Sequence, residues 1–254
     1  MMVFWALVAL VVGVIVAVGL ARLLGRSERA VSGSHNPQAL SVVGSALLSS
    51  FILVTAFLIA STWSTYNTDR QHTYDEARSV TTTYWLAGKL PPADRDKVRA
   101  GLTVYASQVV ADDWPAMGRH QTSEEAATTL DGLRVEVGAI HPASAADEKS
   151  RADVSAALDD IYSKRLIRAA DVNYSMPSLL YFALVVAALL LVAYPPLVGL
   201  TANGRNVVVL SGLGAMVGLG ILIVIGLSHP YSEPLAIAPT AFRHALEQFT
   251  QING

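Results

Sequence analysis

The chain has 254 residues, 52% of them hydrophobic and only 15% charged, with a mean hydropathy of +0.43. Apolar content this high excludes a disordered chain, and a net charge of −2 offers no basic surface for nucleic acid. The absence of cysteine removes disulfide frameworks, thiol nucleophiles, Cys-ligated zinc and iron–sulfur clusters together.

The apolar residues concentrate in four stretches that carry no charge: 1–21, 36–68, 172–204 and 206–228. Each is long enough to cross a hydrocarbon core of about 30 Å as a helix. Membrane helices are therefore expected at 3–24, 40–63, 178–200 and 207–227. The first stretch lacks the basic start and the small-residue cleavage site of a signal peptide, so it reads as a retained span. Four regions follow: a first transmembrane pair (1–63), an extramembrane insert (64–174), a second pair (175–228) and a C-terminal segment (229–254).

The insert holds thirteen basic and seventeen acidic residues. Trp63, Tyr66, Arg70, Tyr74, Ala77, Thr81 and Tyr84 recur at three- to four-residue spacing with no Gly or Pro between them. This predicts that the second span continues as one helix to about Ala87. Pro91-Pro92 breaks it, and Asp94 opens a helix bearing Val98, Leu102, Tyr105, Val109 and Val110. Thr122 to Glu125 is a capping-box pattern ahead of Leu130, Leu133 and Val137. Ser144 offers the cap for a helix carrying Val154, Leu158, Ile161 and Tyr162. Beyond the last span, Pro230, Tyr231 and Pro239 predict a turn. Phe242, Ala245, Leu246 and Phe249 then predict an amphipathic helix returning to the membrane surface or to the insert. No strand-like alternation competes anywhere, so the fold class is an all-α membrane protein.

The search for reactive chemistry returns no catalytic, cofactor or metal motif. The six histidines show no ligand spacing, and Asp112-Asp113, Glu124-Glu125 and Asp159-Asp160 read as solvated helix faces rather than acid–base pairs. Gly214 and Gly218 form a G-x-x-x-G that lets two membrane helices approach closely. An enzyme is not expected. No Asp, Glu, His, Lys or Arg lies within the four charge-free stretches, which argues against a proton-coupled carrier, a pump or a voltage sensor. A passive pore needs no such charge and can be gated by dewetting at an apolar constriction. The second span supplies candidates for its lining in Phe51, Ile52, Thr55, Phe57 and Leu58, of which Phe51, Thr55 and Leu58 share one face. The competing reading is that these side chains face lipid or sister helices.

Several short motifs recur in a fixed order. His35-Asn36 precedes the second span, Glu76-Ala77 lies on its continuation, and Asp113-Trp114-Pro115-Ala116-Met117 lies in the insert. Pro230-Tyr231-Ser232 and Ile237 to Arg243, including Phe242, follow the last span. Together they resemble the bacterial four-span family of unknown function classed as bestrophin-like, although Glu233 stands where a Gly is common. Bestrophins are pentameric anion channels whose second helix lines the pore through an apolar neck. The resemblance therefore implies a homo-oligomer in the bilayer that passes inorganic ions, with no cofactor. An accessory subunit working with a protein partner, and a sensor using the insert as ligand-binding module, stay open. Arg22, Arg26 and Arg29 in one short loop and Arg205 in the other favour a cytoplasmic position for both loops, and hence an insert outside a bacterial plasma membrane. Arg70, Arg78, Lys164, Arg165 and Arg168 on the insert's flanks, and the cytosolic helical part of bestrophins, argue the other way.

Overall fold

The computed structural model describes residues 2–24, 37–173, 176–200 and 203–253. Regular structure among them is entirely helical. In chain order the helices are α1 (Met2–Leu24), α2 (Pro37–Ala87), α3 (Pro92–Gln108), a π turn (Val109–Asp113), α4 (Trp114–Met117) and α5 (Glu124–Gly138). They continue with α6 (Ala145–Asp171), α7 (Ser178–Leu197), α8 (Gly204–Ser228) and α9 (Thr240–Asn253). Three of them, α2, α7 and α8, are long and apolar enough to cross a membrane, while α1 carries a shorter apolar run, Leu7–Leu20.

α2 is a single helix of 51 residues, about 76 Å at 1.5 Å per residue. It passes from the charge-free stretch into the polar region without interruption and ends at Ala87, as the aromatic periodicity predicts. α3 begins at Pro92 rather than Asp94. A proline at the first helical position loses nothing, because the N–H it lacks has no partner inside a helix.

The chain divides into two compact units. One comprises Met1–Thr65, Ser175–His229 and Glu233–Leu235; the other comprises Tyr66–Tyr174, Pro230–Ser232 and Ala236–Gly254. In the first unit, Ala17, Phe51, Leu58, Leu184, Leu191, Val217 and Val224 form the core. Here α1 and α8 cross at backbone contact. A Cβ on Gly214 would stand 2.3 Å from the Gly13 carbonyl oxygen, and one on Gly218 would stand 2.4 Å from that of Ala9. The expected role of the G-x-x-x-G is met, and its partner is the Gly13 region of α1.

In the second unit, α2 contributes Val80, Tyr84 and Ala87, and α3 contributes Val98, Leu102 and Tyr105. Leu130 and Leu133 of α5 and Val154, Leu158 and Ile161 of α6 complete the layer. α9 belongs to this core and thereby decides between its two expected destinations. Phe242, Ala245 and Phe249 are buried, and the Phe249 ring stacks on Tyr84 with centroids 4.0 Å apart.

Local signals account for most helix starts. Ser144 caps α6, its hydroxyl accepting from the Asp147 N–H at 3.1 Å. Replacing Ser144 with Ala should cost about 1 kcal/mol, read as a lowered thermal midpoint with unchanged helix content. At α5 the cap is Ser123, not Thr122: its hydroxyl accepts from Ala126 N–H and donates to Glu125 at 2.7 Å. The π turn comes from Pro115. Proline has no N–H, and its ring clashes with the carbonyl four residues back, so the chain takes up one extra residue. The Trp114 N–H accordingly bonds to the Val109 carbonyl. The added residue rotates both Asp113 and Trp114 inward.

Candidate functional site

Along α2 in the first unit, Phe51, Thr55 and Leu58 do share one face, and that face turns into the unit's own core. Phe51 is 3% exposed and Leu58 1%, and the buried Thr55 hydroxyl has no hydrogen-bond partner. Ile52 and Phe57 lie on the uncovered side, 52% and 65% exposed. Leu53, which the sequence did not single out, lies there too. No charged side chain interrupts α2 before Asp69.

The same buried stripe of α2 becomes polar in the second unit, where Asp69, Thr73, Glu76 and Thr83 take inward positions. Glu76 meets Arg168 of α6, whose Nε donates to one carboxylate oxygen at 2.6 Å and Nη2 to the other at 3.1 Å. The Tyr105 hydroxyl of α3 donates to Glu76 at 2.6 Å. Arg168 also donates to Asp113 at 2.9 Å, and Arg165 pairs with the same carboxylate while donating to the Ser123 carbonyl at 2.9 Å. The Ser123 N–H completes the set by donating to Asp113 at 2.6 Å. Two acids and two guanidiniums thus neutralise one another. The Trp114 and Phe242 rings flank Arg168, with its central carbon 5.6 and 5.7 Å from their centroids.

Burial by itself would raise the Asp113 carboxyl, but Arg168 and Arg165 outweigh it and hold the group below the ordinary carboxylate range. A depressed carboxyl stabilises the fold above its unfolded value, so this contribution is lost as pH falls through the carboxylate range. Tyr105 moves well upward, through burial and the neighbouring Glu76 charge, and stays a neutral donor. Asp113 is therefore no solvated acid, contrary to expectation; the π turn brings it inside. The arrangement is a clamp tying α2, α3, the π turn and α6 together.

Three of the motif positions, Glu76, Trp114 and Phe242, converge on Arg168. Pro115 acts through the π turn. The Pro230 carbonyl accepts from the Ile237 N–H at 2.7 Å, and the Ile237 carbonyl accepts from Trp114 Nε1 at 2.8 Å. His35 and Asn36 lie outside the described residues. Arg165 and Arg168 carried no motif of their own; their i, i+3 spacing on one face of α6 was the available signal.

One turn from the clamp, Asp69, His72 and Asp171 come together with their potential ligand atoms all within 4.8 Å of one another. The His72 Nδ1 and Asp171 carboxylate are 2.8 Å apart. Burial, reinforced by the Asp171 charge and only partly offset by His72, pushes the Asp69 carboxyl up to about 7. Burial also raises Asp171, against the pull of His72 and Arg168.

These features define an all-helical membrane protein in which one long helix carries both an apolar, charge-free half and a polar half built around a buried ionic clamp. The chain belongs to the bestrophin-like family, whose Bestrophin-like domain matches residues 7–242. No curated protein matches it in sequence. Among solved structures it is similar to a membrane protein variant at 12% identity, covering 95% of this chain and 97% of that one, with a TM-score of 0.72. It is also similar to single-residue variants of a bacterial bestrophin homolog from Klebsiella pneumoniae. One shows 13% identity over 99% of this chain and 98% of that one, TM-score 0.68; another shows 12% over 100% and 99%, TM-score 0.67. At such identities the likeness shows a shared fold.

Proposed function

We propose that this protein is one subunit of a homo-oligomeric anion channel of the bacterial plasma membrane, with four spans per chain and the uncovered side of α2 facing the conduit. The observation that supports this most is the division of α2 in the first unit. Its Phe51–Thr55–Leu58 face is consumed by packing within the chain, while Leu53 and Phe57, four residues apart, stay exposed on a stretch without charge. A conduit enclosed by several copies of α2 is lined by what each copy leaves uncovered. Phe57, with Leu53 and Ile52, is therefore the candidate constriction, and Phe51, Thr55 and Leu58 form the layer behind it. A ring of such side chains closes by excluding water rather than by placing charge. Four basic residues in the two short loops favour a cytoplasmic position for those loops and an extracytoplasmic one for residues 66–174. Impermeant-maleimide labelling of a Ser123→Cys variant on intact cells checks that side.

The test is chloride efflux from proteoliposomes together with the mass of the assembly in detergent. Wild type should form a ring, and Phe57→Ala should raise efflux several-fold without changing mass or thermal midpoint, because the side chain packs on little of its own chain. Phe51→Ala should instead destabilise the first unit by about 3–5 kcal/mol, as buried Phe truncations do. If wild type and Phe57→Ala both assemble and neither passes a small ion, the channel gives way to an accessory subunit. A monomer in detergent removes the pore altogether.

A further inference from the structure

Beside the clamp lies a polar cluster, Asp69, His72 and Asp171, in which His72 pairs with Asp171 and Asp69 is left aside. Asp69 is 4% exposed, and no hydrogen bond reaches its carboxylate among the described residues; only its backbone carbonyl is engaged, by the Thr73 hydroxyl at 3.2 Å. The nearby charges are those of Asp171 and His72, and Arg168 is already engaged by Glu76 and Asp113. A second, separate observation points to the same place. Tyr231, 6% exposed, turns its hydroxyl toward Thr73, within the field of Arg168, Asp171 and Asp69. Thr73 spends its proton on the Asp69 carbonyl and can offer the Tyr231 hydroxyl only its lone pairs, and among the described residues no partner meets that hydroxyl with full hydrogen-bonding geometry. A buried hydroxyl without a well-formed hydrogen bond, in the field of two carboxylates, is costly unless something joins them.

We propose that Asp69, His72 and Asp171 bind a divalent transition-metal ion of the Zn2+ or Mn2+ kind, with the Tyr231 hydroxyl bonding to a ligand of that ion. Two carboxylates and one imidazole form a donor set of intermediate softness that suits these ions. Mg2+ and Ca2+ are better served by oxygen alone. Ligands about 2.1 Å from a tetrahedral ion stand about 3.4 Å apart, so the His72–Asp171 contact at 2.8 Å opens by roughly half an ångström while wider separations, all within 4.8 Å, close by roughly one. The dication supplies positive charge beside the Asp69 carboxylate, which no hydrogen bond reaches among the described residues, whereas Asp171 already has His72. Burial pushes the Tyr231 phenol up, so it serves as a neutral donor that orients a ligand rather than as a phenolate. The site joins α2, the end of α6 and the segment after α8. It is independent of the channel reading, since a non-conducting protein would bind the ion equally.

The experiment uses the full chain in detergent, stripped with a chelator and titrated calorimetrically with Zn2+, Mn2+ and Mg2+ in turn. Wild type should take up one Zn2+ or Mn2+ per chain, far more tightly than Mg2+, with a chelator-reversible rise in thermal midpoint. Asp69→Asn and His72→Gln should each weaken binding at least tenfold, and Tyr231→Phe several-fold. His244→Gln, an exposed histidine on α9, should change nothing. X-ray absorption at the zinc edge of the wild type should show one nitrogen-bearing imidazole among oxygen ligands, which decides the matter even if a variant fails to fold. No uptake by wild type overturns the proposal. So does uptake that survives Asp69→Asn and His72→Gln in folded protein, falls with His244→Gln, or shows several imidazoles on the metal.

Discussion

Arg168→Met is expected to unfold the second unit at temperatures where the wild type is intact. Arg168 is 1% exposed and donates to both Glu76 and Asp113, so its removal strands carboxylates in a desolvated core where, among the described residues, Arg165 is the remaining buried guanidinium. Breaking a buried pair from one side costs about 3–5 kcal/mol, because the remaining charge is left without its partner. Whole domains are stable by only about 5–15 kcal/mol. The diagnostic experiment is a thermal melt by circular dichroism of Arg168→Met beside the double variant Arg168→Met/Glu76→Gln. The double variant removes one charge of each sign and leaves a neutral amide near Tyr105, so it should recover at least half of the lost stability. Equal destabilisation of single and double variants would show that Arg168 matters through its stem and its ring contacts rather than through charge.

The second large effect is expected at Gly214. A side chain there would meet the Gly13 carbonyl carbon at 2.7 Å and its oxygen at 2.3 Å, with the Ala17 methyl at 2.9 Å. None of these can swing aside, since two are backbone and the third is a methyl on a helix. Gly214→Leu must therefore push α1 off α8 along the whole crossing, a penalty of about 3 kcal/mol or more. Gly212 lies two residues earlier on the same helix and faces open space. Gly212→Ala should be neutral or slightly stabilising, because Ala is the better helix former by about 1 kcal/mol. The pair separates crowding from composition on one helix. A Gly214→Leu protein that melts with Gly212→Ala would mean that the close crossing carries no stability.

The sequence announced what depends on neighbours along the chain. Ser144 capped its helix, Pro91-Pro92 ended α2, and the aromatic periodicity ran unbroken to Ala87, because caps, prolines and helical spacing act over a few residues. The shared face of Phe51, Thr55 and Leu58 was legible for the same reason. Its direction was not: lipid is as apolar as a protein core, so hydrophobicity marks no inside on a membrane helix. Asp113 was misread because its placement depends on one extra residue in a turn forced by Pro115. Glu76 finds Arg168 across 92 positions and His72 finds Asp171 across 99. Spacing rules carry no information over such separations. The motif order located Glu76, Trp114 and Phe242 without revealing that all three surround a single guanidinium.

That guanidinium sets a clock on biogenesis. Glu76 leaves the ribosome 92 residues before Arg168, a delay of about 5–20 s at 5–20 residues per second. During that interval α2 is already made and the acid must wait in water for its cation. Phe242, which closes one side of the guanidinium, is synthesised only after both α7 and α8. The ionic pairs can form once α6 has emerged, but the Phe242 side of the guanidinium is covered only after those two apolar helices, so the polar unit is completed late. Until then, the apolar surface that Phe242 and Phe249 cover stays open to chaperones and proteases.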